Sequence, residues 1–305
     1  MTYSTQTLLD KIAALKKKRN ALILVHNYQL GEVQEAADFV GDSLELSQKA
    51  AAASADVIVF CGVHFMAETA SILNPQRKVL LPDAQSGCPM ADMITAEQLI
   101  AKKKELPGAA VVCYINSTAE VKAYSDICCT SANAVEVVNS LPDEEILFVP
   151  DQYLGSFVAR HTKKKMHFWP GYCPTHARIR PEDILRAKAQ YPEAVAIVHP
   201  ECRPETIDAA DEALSTGAMA RYVKSSPAKT IIVGTEVGFI YRLRKENPDK
   251  QFIVASEQAI CPRMKLITLE KVLWSLDELS PEVKVPEDVR KKAIVAVNRM
   301  LALSR

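Results

Sequence analysis

Ala194-Val195-Ala196-Ile197-Val198-His199-Pro200-Glu201 is a five-residue apolar run that breaks abruptly into His-Pro-Glu. A run this short, without polar alternation, reads as a parallel strand buried on both faces. Runs of the same kind recur at residues 22–25, 57–60, 79–81, 111–115, 146–149, 166–169, 231–233 and 252–255. Between them lie helical stretches. Thr95-x-x-Gln98 and Ser117-x-x-Glu120 have the form of capping boxes, and Asn74-Pro75, Leu106-Pro107-Gly108 and Asn247-Pro248 the form of helix stops. Strands alternating with helices from end to end predict an α/β chain with parallel sheets.

Working outward from His199, the pattern repeats. His199 lies 62 residues before Cys261, and His26 of His26-Asn27-Tyr28 lies 62 residues before Cys88. Tyr114-Ile115-Asn116 begins 59 residues before Cys173. Each of these cysteines is followed by proline, and they stand 85 and 88 residues apart. A hydroxyl residue recurs as well: Ser43 is 45 residues before its cysteine, Ser131 is 42 and Thr216 is 45. The chain therefore reads as three homologous three-layer α/β/α units with parallel sheets around a pseudo-threefold axis. Expected boundaries are residues 1–90, 91–177 and 178–285, with a last helix at 286–305 packing back on the first unit.

Composition narrows the function. The 37 basic and 37 acidic side chains cancel, so no polyanion partner such as nucleic acid is indicated. The basic clusters at residues 16–19, 102–104 and 163–165 fall near expected helix ends and read as solvated faces. No apolar run approaches the ~20 residues of a membrane span. Residues 1–20 read as a polar amphipathic helix, not a signal peptide. A cytoplasmic location is expected, where eight cysteines serve packing, metal ligation or redox chemistry and not a disulfide framework.

With eight cysteines and 17 prolines in 305 residues, chance pairing gives fewer than one Cys-Pro, so three in equivalent positions point to ligation. Thiolates select zinc or an iron–sulfur cluster, and the wide spacing, with no C-x-x-C, argues against a zinc ribbon. A cubane cluster normally takes four cysteines. Three would leave one iron open as a Lewis acid, which suits dehydration or condensation. Cys61, Cys113, Cys128, Cys129 and Cys202 read as core or turn residues. In open parallel sheets ligands bind beyond the strand C-termini. His26, Tyr114, Asn116 and His199 lie there as hydrogen-bond donors for anionic substrates. Ser43, Ser131 and Thr216, at or beside helix N-termini, suit a carboxylate or phosphate. Glu201 is the one acid of these strand ends and the best general base. Tyr28 is a proton donor or positioning group, and His176, three residues after Cys173, a substrate contact.

Several of these motifs resemble the quinolinate synthase family. They are Leu24-Val25-His26-Asn27-Tyr28-Gln29, Asp38-Phe39-Val40-Gly41-Asp42-Ser43, Phe65-Met66-Ala67-Glu68, Cys88-Pro89-Met90, Tyr114-Ile115-Asn116-Ser117 and Thr130-Ser131-Ala132-Asn133-Ala134. His199-Pro200-Glu201-Cys202, Ser215-Thr216-Gly217 and Gly234-Thr235-Glu236 continue the match. The resemblance implies condensation of iminoaspartate with dihydroxyacetone phosphate to quinolinate, phosphate and water, feeding NAD synthesis. It implies a [4Fe–4S] cluster on Cys88, Cys173 and Cys261, and an upstream enzyme that supplies iminoaspartate. It further implies substrate contacts at His26, Ser43, Tyr114, Ile115, Asn116, Ser131, His199, Pro200, Glu201 and Thr216, with proton transfer by Tyr28, His176 and Glu201. Some members carry C-x-x-C-x-x-C near the end. Here Pro262-Arg263-Met264 follows Cys261, so the chain resembles the single-cysteine form. Two other readings remain open: another [4Fe–4S] hydro-lyase acting on a small hydroxy acid, and a non-enzymatic iron–sulfur or zinc sensor.

Overall fold

The computed structural model describes residues 3–303; the ends of the expected first unit and last helix (Met1, Thr2, Ser304 and Arg305) lie outside the described residues. Its strands form three four-stranded sheets. The first holds β1 (Ala21–His26), β2 (Phe39–Gly41), β3 (Val57–Cys61) and β4 (Lys78–Leu80). The second holds β5 (Ala109–Tyr114), β6 (Ile127–Cys129), β7 (Glu145–Val149) and β8 (Lys165–Phe168). The third holds β9 (Val195–Val198), β10 (Glu212–Ala213), β11 (Thr230–Gly234) and β12 (Gln251–Val254). The spatial order is the same each time, β2-β1-β3-β4, β6-β5-β7-β8 and β10-β9-β11-β12, and every pairing is parallel.

The apolar runs fold this way because each sheet is covered on both sides. In the third sheet, Ala196, Val198 and Ile232 enter one apolar cluster, while Ile197, Ile231 and Val233 enter another on the opposite face. That is the period-two alternation of a strand between two helical layers. The first and second sheets share one continuous core.

Three edge strands, β2, β6 and β10, were not expected from the apolar pattern. Each is preceded by an aspartate that brackets the neighbouring strand. Asp38 accepts from Ile23 N–H at 2.8 Å, Asp126 from Val111 N–H at 2.7 Å and Asp211 from Ala196 N–H at 2.8 Å. Cys128 and Cys129 accordingly sit inside β6 and not in a turn. The Thr95 capping box forms, whereas the helix Ala119–Ala123 is capped by Thr118 and Ser117 donates to the Tyr114 carbonyl instead. The basic clusters at 16–18 and 102–104 do end helices, but residues 163–165 lie in the approach to β8.

After each Cys-Pro the chain makes a short 3-10 turn and then a helix: Ala96–Glu105, Pro181–Gln190 and Leu269–Glu278. The helix Pro181–Gln190 packs on β9 and β11, and Leu269–Glu278 packs on β3 and on the first helix, Thr5–Lys18. The end of the chain thus closes on the beginning. The last helix, Glu287–Leu303, departs from expectation. It lies mainly on Ala119–Ala123 and β6 of the second sheet, and reaches the first unit through His64–Leu73. Ala119–Ala123 is a helix of one turn and leaves the flank of β6 bare, so Ala293 fills the space between Ile72 and Ala119. No helix among the described residues is long and apolar enough to cross a membrane.

Candidate functional site

The C-terminal ends of the three sheets open onto one narrow cavity of about 70 Å³. Its wall includes Cys88, Cys173 and Cys261, each half-buried and each from a different third of the chain. It also includes the three hydroxyl residues Ser43, Ser131 and Thr216. His26, Tyr28, Tyr114, Asn116, His176, His199 and Glu201 are also part of the polar lining. Ile115 and Pro200 do not line it. Both are buried, and the Ile115 N–H is bound to the Cys129 carbonyl at 2.8 Å.

The strand ends are built alike. Beyond β1, the Tyr28 N–H donates to His26 Nδ1 at 3.2 Å, and beyond β9 the Glu201 N–H donates to His199 Nδ1 at 3.3 Å. An occupied Nδ1 acceptor leaves Nε2–H as the donor of a neutral ring. Burial, against the attraction of Glu201, lowers both imidazoles to about 3. Both rings are therefore neutral near pH 7. His199 donates through Nε2 to Ser131 Oγ at 3.1 Å, which joins the third unit to the second.

Glu201 is the hub of the buried network. Tyr114 donates its hydroxyl to Oε1 in a short hydrogen bond, and Asn116 Nδ2 approaches the same oxygen at 3.4 Å. Oε2 lies 2.6 Å from His176 Nδ1, which is also 3.1 Å from Cys173 Sγ. Burial would raise the Glu201 carboxyl, but the His176 and His199 rings and the hydrogen bonds from His176 and Tyr114 outweigh it and hold it near 2. His176 Nε2 faces Thr235 Oγ1 at 2.9 Å and the Tyr28 hydroxyl at 3.2 Å, and Tyr28 and Thr235 are 2.6 Å apart. Burial and the Glu201 charge raise both the Tyr28 and Tyr114 phenols well above their ordinary range. A hydrogen-bonded path therefore runs from Tyr28 through His176 to Glu201 and Tyr114.

The hydroxyl turns of the first and third units meet. Asp42 caps the helix Ser43–Ala51 by accepting from Leu44 and Glu45 N–H with Oδ1, both at 3.0 Å. Its Oδ2 accepts from Gly217 N–H at 3.3 Å and from Ser215 Oγ at 3.4 Å. Asn27 Nδ2 donates to Thr216 Oγ1 at 2.9 Å. Ser43 and Thr216 are the first residues of their helices, so their hydroxyls stand at positive dipole ends.

The three cysteines also share a local design. Each carbonyl accepts from the N–H four residues on, Asp92, Ala177 and Lys265, at 3.3, 3.0 and 3.4 Å. The backbone N–H three residues on, from Ala91, His176 and Met264, lies near each sulfur and favours its thiolate. Burial still dominates. It pushes the Cys88 thiol up to about 12, the Cys173 thiol well above its ordinary range, and the Cys261 thiol upward. Cys88 feels Cys261, and Cys173 feels Cys88, as mutually disfavouring charges. Cys61, Cys113, Cys128, Cys129 and Cys202 are buried and do not line the cavity. A second grouping, Cys173, His176 and Glu201, has ligand atoms within 4.8 Å of one another. The His176 nitrogen and Glu201 oxygen in it are at hydrogen-bond distance, 2.6 Å. Reading polar residues only at first-strand ends misses Thr235 and Glu236, which follow β11; Glu236 lines the cavity and is fully buried.

A sequence profile of the family described as Quinolinate synthetase A protein matches residues 10–302. The chain is 62% identical over 300 residues to a quinolinate synthase of Dehalococcoides mccartyi, covering 98% of this chain and 99% of that protein. It is 57% identical over 299 residues to a quinolinate synthase of Geobacter metallireducens, covering 98% of each. With a quinolinate synthase of Thermodesulfovibrio yellowstonii it shares 55% identity over 296 residues, covering 97% of this chain and 98% of that protein.

Proposed function

The chain is an enzyme belonging to the quinolinate synthetase A family, and from that premise we propose that it condenses iminoaspartate with dihydroxyacetone phosphate to quinolinate, inorganic phosphate and water, a supply step for NAD. The observation that carries this reading is the convergence of one cysteine and one hydroxyl residue from each unit on a single cavity. That cavity also holds the Tyr28–His176–Glu201–Tyr114 path.

The donor set fits a [4Fe–4S] cluster. Three half-buried thiols with raised proton affinity need a strong local cation to be held as thiolates. The repeated N–H groups near the sulfurs favour the thiolates that a cluster requires. Cys88, Cys173 and Cys261 would hold the cluster. When bound, it supplies an iron without a protein ligand, a Lewis acid for a carboxylate or hydroxyl oxygen.

The protein's own residues do the rest. Ser43 and Thr216, at helix N-termini, and Ser131 bind carboxylate or phosphate oxygens. His26 and His199, neutral and presenting Nε2–H, donate hydrogen bonds without adding charge. Glu201 is too acidic to be a strong base alone. It orients Tyr114 and His176, so that protons move at the Tyr114 hydroxyl, at the His176 nitrogens and at the Tyr28 hydroxyl. The buried walls exclude water from reactive intermediates.

The test is anaerobic reconstitution with iron and sulfide, followed by addition of iminoaspartate and dihydroxyacetone phosphate. Quinolinate and phosphate should form in the wild type, and cluster and product should both be lost in Cys88→Ala, Cys173→Ala and Cys261→Ala. Cys202→Ala, whose side chain does not line the cavity, should keep both. A stable cluster with no phosphate release would sink the condensation and favour a hydro-lyase.

A further inference from the structure

The three units differ at one position close to the cysteines. Two residues beyond the third strand of each unit stand Val63 after β3, Asp151 after β7 and Glu236 after β11. The registers make them equivalent, since Cys61, Val149 and Gly234 pair with the residues just before His26, Tyr114 and His199 or their alignment partners Val25, Cys113 and Val198. Asp151 and Glu236 are both fully buried. Both face the backbone of their own unit's cysteine. Glu236 Oε1 accepts from the Cys261 N–H at 3.1 Å. Asp151 Oδ1 accepts from the Tyr153 and Leu154 N–H groups at 2.7 and 2.9 Å, and the Cys173 backbone N–H is near enough to favour the carboxylate.

Their charge is handled differently. One Asp151 oxygen, Oδ2, is buried without a partner, and burial with the nearby Glu201 charge favours the neutral acid. Glu236 has a counter-ion: Lys265 Nζ lies 3.0 Å from Oε1 and 3.1 Å from Oε2. Oε2 also accepts from the Gly238 N–H at 2.7 Å. Lys265 additionally donates to the Tyr28 carbonyl. The pair therefore ties the Cys261 turn of the third unit to the Tyr28 strand end of the first.

We propose that Asp151 and Glu236 are repeat-related positioning residues for the cysteines Cys173 and Cys261, and that Glu236 with Lys265 couples the Cys261 turn to Tyr28. The proposal rests on the reading of those cysteines as cluster ligands. Neither acid needs to touch substrate; each acts through the backbone of a ligand. The first unit does without an acid, and fastens its cysteine loop by Ser86 Oγ, which lies 2.8 Å from both the Gly62 and the Arg263 carbonyl and shares its one proton between them.

The test measures iron release from reconstituted protein to a chelator, anaerobically, by loss of the cluster's visible absorbance. Thermal unfolding of the cluster-free protein is recorded alongside. Valine is the natural substitute, since the first unit already carries it. Glu236→Val and Asp151→Val should release iron about 10–100 times faster than wild type. Glu236→Gln keeps an oxygen for the Cys261 N–H and should lie between. Lys265→Met leaves an unpaired buried carboxylate beside Cys261 and should release iron faster than Glu236→Gln. Adding Glu236→Gln to Lys265→Met should slow release back toward the Glu236→Gln value, while a pair that merely fills space would make the double variant the worst. Both Glu236→Gln and the double variant conserve volume, so they remain informative if the valine variants fail to fold. Wild-type release rates in these variants, or a double variant faster than Lys265→Met, would overturn the proposal. A wild type that assembles no cluster would overturn the underlying reading instead, and with it this one.

Discussion

Gly217→Ala tests whether the hydroxyl turns of the first and third units meet as described. A Cβ at Gly217 would lie 2.5 Å from Asp42 Oδ2 and 3.2 Å from Glu45 Oε1. Asp42 cannot simply swing away, because its other oxygen caps the helix Ser43–Ala51 through two N–H groups. Either the cap is lost, at about 1 kcal/mol, or the junction separates by roughly 1 Å, with overpacking of about 1–3 kcal/mol. Losing the Gly217 and Ser215 hydrogen bonds adds about 0.5–1 kcal/mol, since both are long. A total of about 1.5–4 kcal/mol corresponds to a fall in Tm of about 2–6 °C for a chain of this size. The junction also carries Ser43 and Thr216, so a shift of about 1 Å should raise KM for the anionic substrates and lower kcat, together as much as about 100-fold. Thermal unfolding of the cluster-free protein and steady-state kinetics of the reconstituted enzyme read the two effects. A variant that unfolds within about 1 °C of wild type, with unchanged kinetics, would refute the contact between units and the convergence built on it.

Glu201→Gln should retain the cluster spectrum while product formation falls at least about 100-fold, because the amide cannot hold both the Tyr114 and His176 protons; near-normal turnover would remove Glu201 from the mechanism. Tyr28→Phe removes a hydroxyl placed between Thr235 and His176. It should cost about 1 kcal/mol in unfolding but about 10–100-fold in turnover, and equal small effects on both would make Tyr28 structural. The neutral histidines predict a pH dependence. Their folded pKa of about 3 lies below the unfolded value of 6.5, so the unfolded chain binds more protons between those limits. Their contribution is fully present above the unfolded pKa and is lost as pH falls toward 3. Each should cost about 1.4 kcal/mol between about pH 7.5 and about pH 5.5. Urea midpoints of the cluster-free protein should drop accordingly, and His26→Gln or His199→Gln should each remove about half of the drop. An undiminished drop in both variants would assign it elsewhere.

Much of the fold is legible because its core strands are apolar on both faces and end in functional residues. Ala194–Val198 and its counterparts announce the first strand of each unit, and the Cys-Pro spacing announces the repeat. The edge strands are not legible in that way. Glu212–Ala213 is a strand of two residues without apolar character, and it is made a strand by pairing with β9. A signal for it does exist. Asp38, Asp126 and Asp211 each precede a hydroxyl residue by five positions, as Asp-x-x-x-[Asp/Thr/Ser]-[Ser/Thr]. The pattern is weak in one copy and becomes visible once three copies are aligned. The place of the last helix depends on which neighbour is left uncovered, a tertiary matter that no local pattern encodes. Lys265 is further from legibility still, because its partner Tyr28 is 237 residues away across a junction between units.

The repeat also explains how one cavity acquires unlike groups. Features shared by all three units are structural in kind: the strand order, the aspartate before the edge strand, the N–H groups near each cysteine sulfur. They bring one cysteine and one hydroxyl residue from each unit to the wall of the same cavity. Features that break the symmetry are chemical. The same strand-end positions carry histidine, tyrosine and histidine at His26, Tyr114 and His199. Two positions on they carry Tyr28, Asn116 and Glu201. Of the residues three beyond each cysteine, Ala91, His176 and Met264, one is a histidine, and it bridges Tyr28 to Glu201. A symmetric cavity would bind a symmetric ligand; the two different substrates of the proposed condensation would need different neighbours on each side. The framework is therefore free to stay threefold while the titratable groups collect at the meeting of Tyr28, His176, Glu201 and Tyr114.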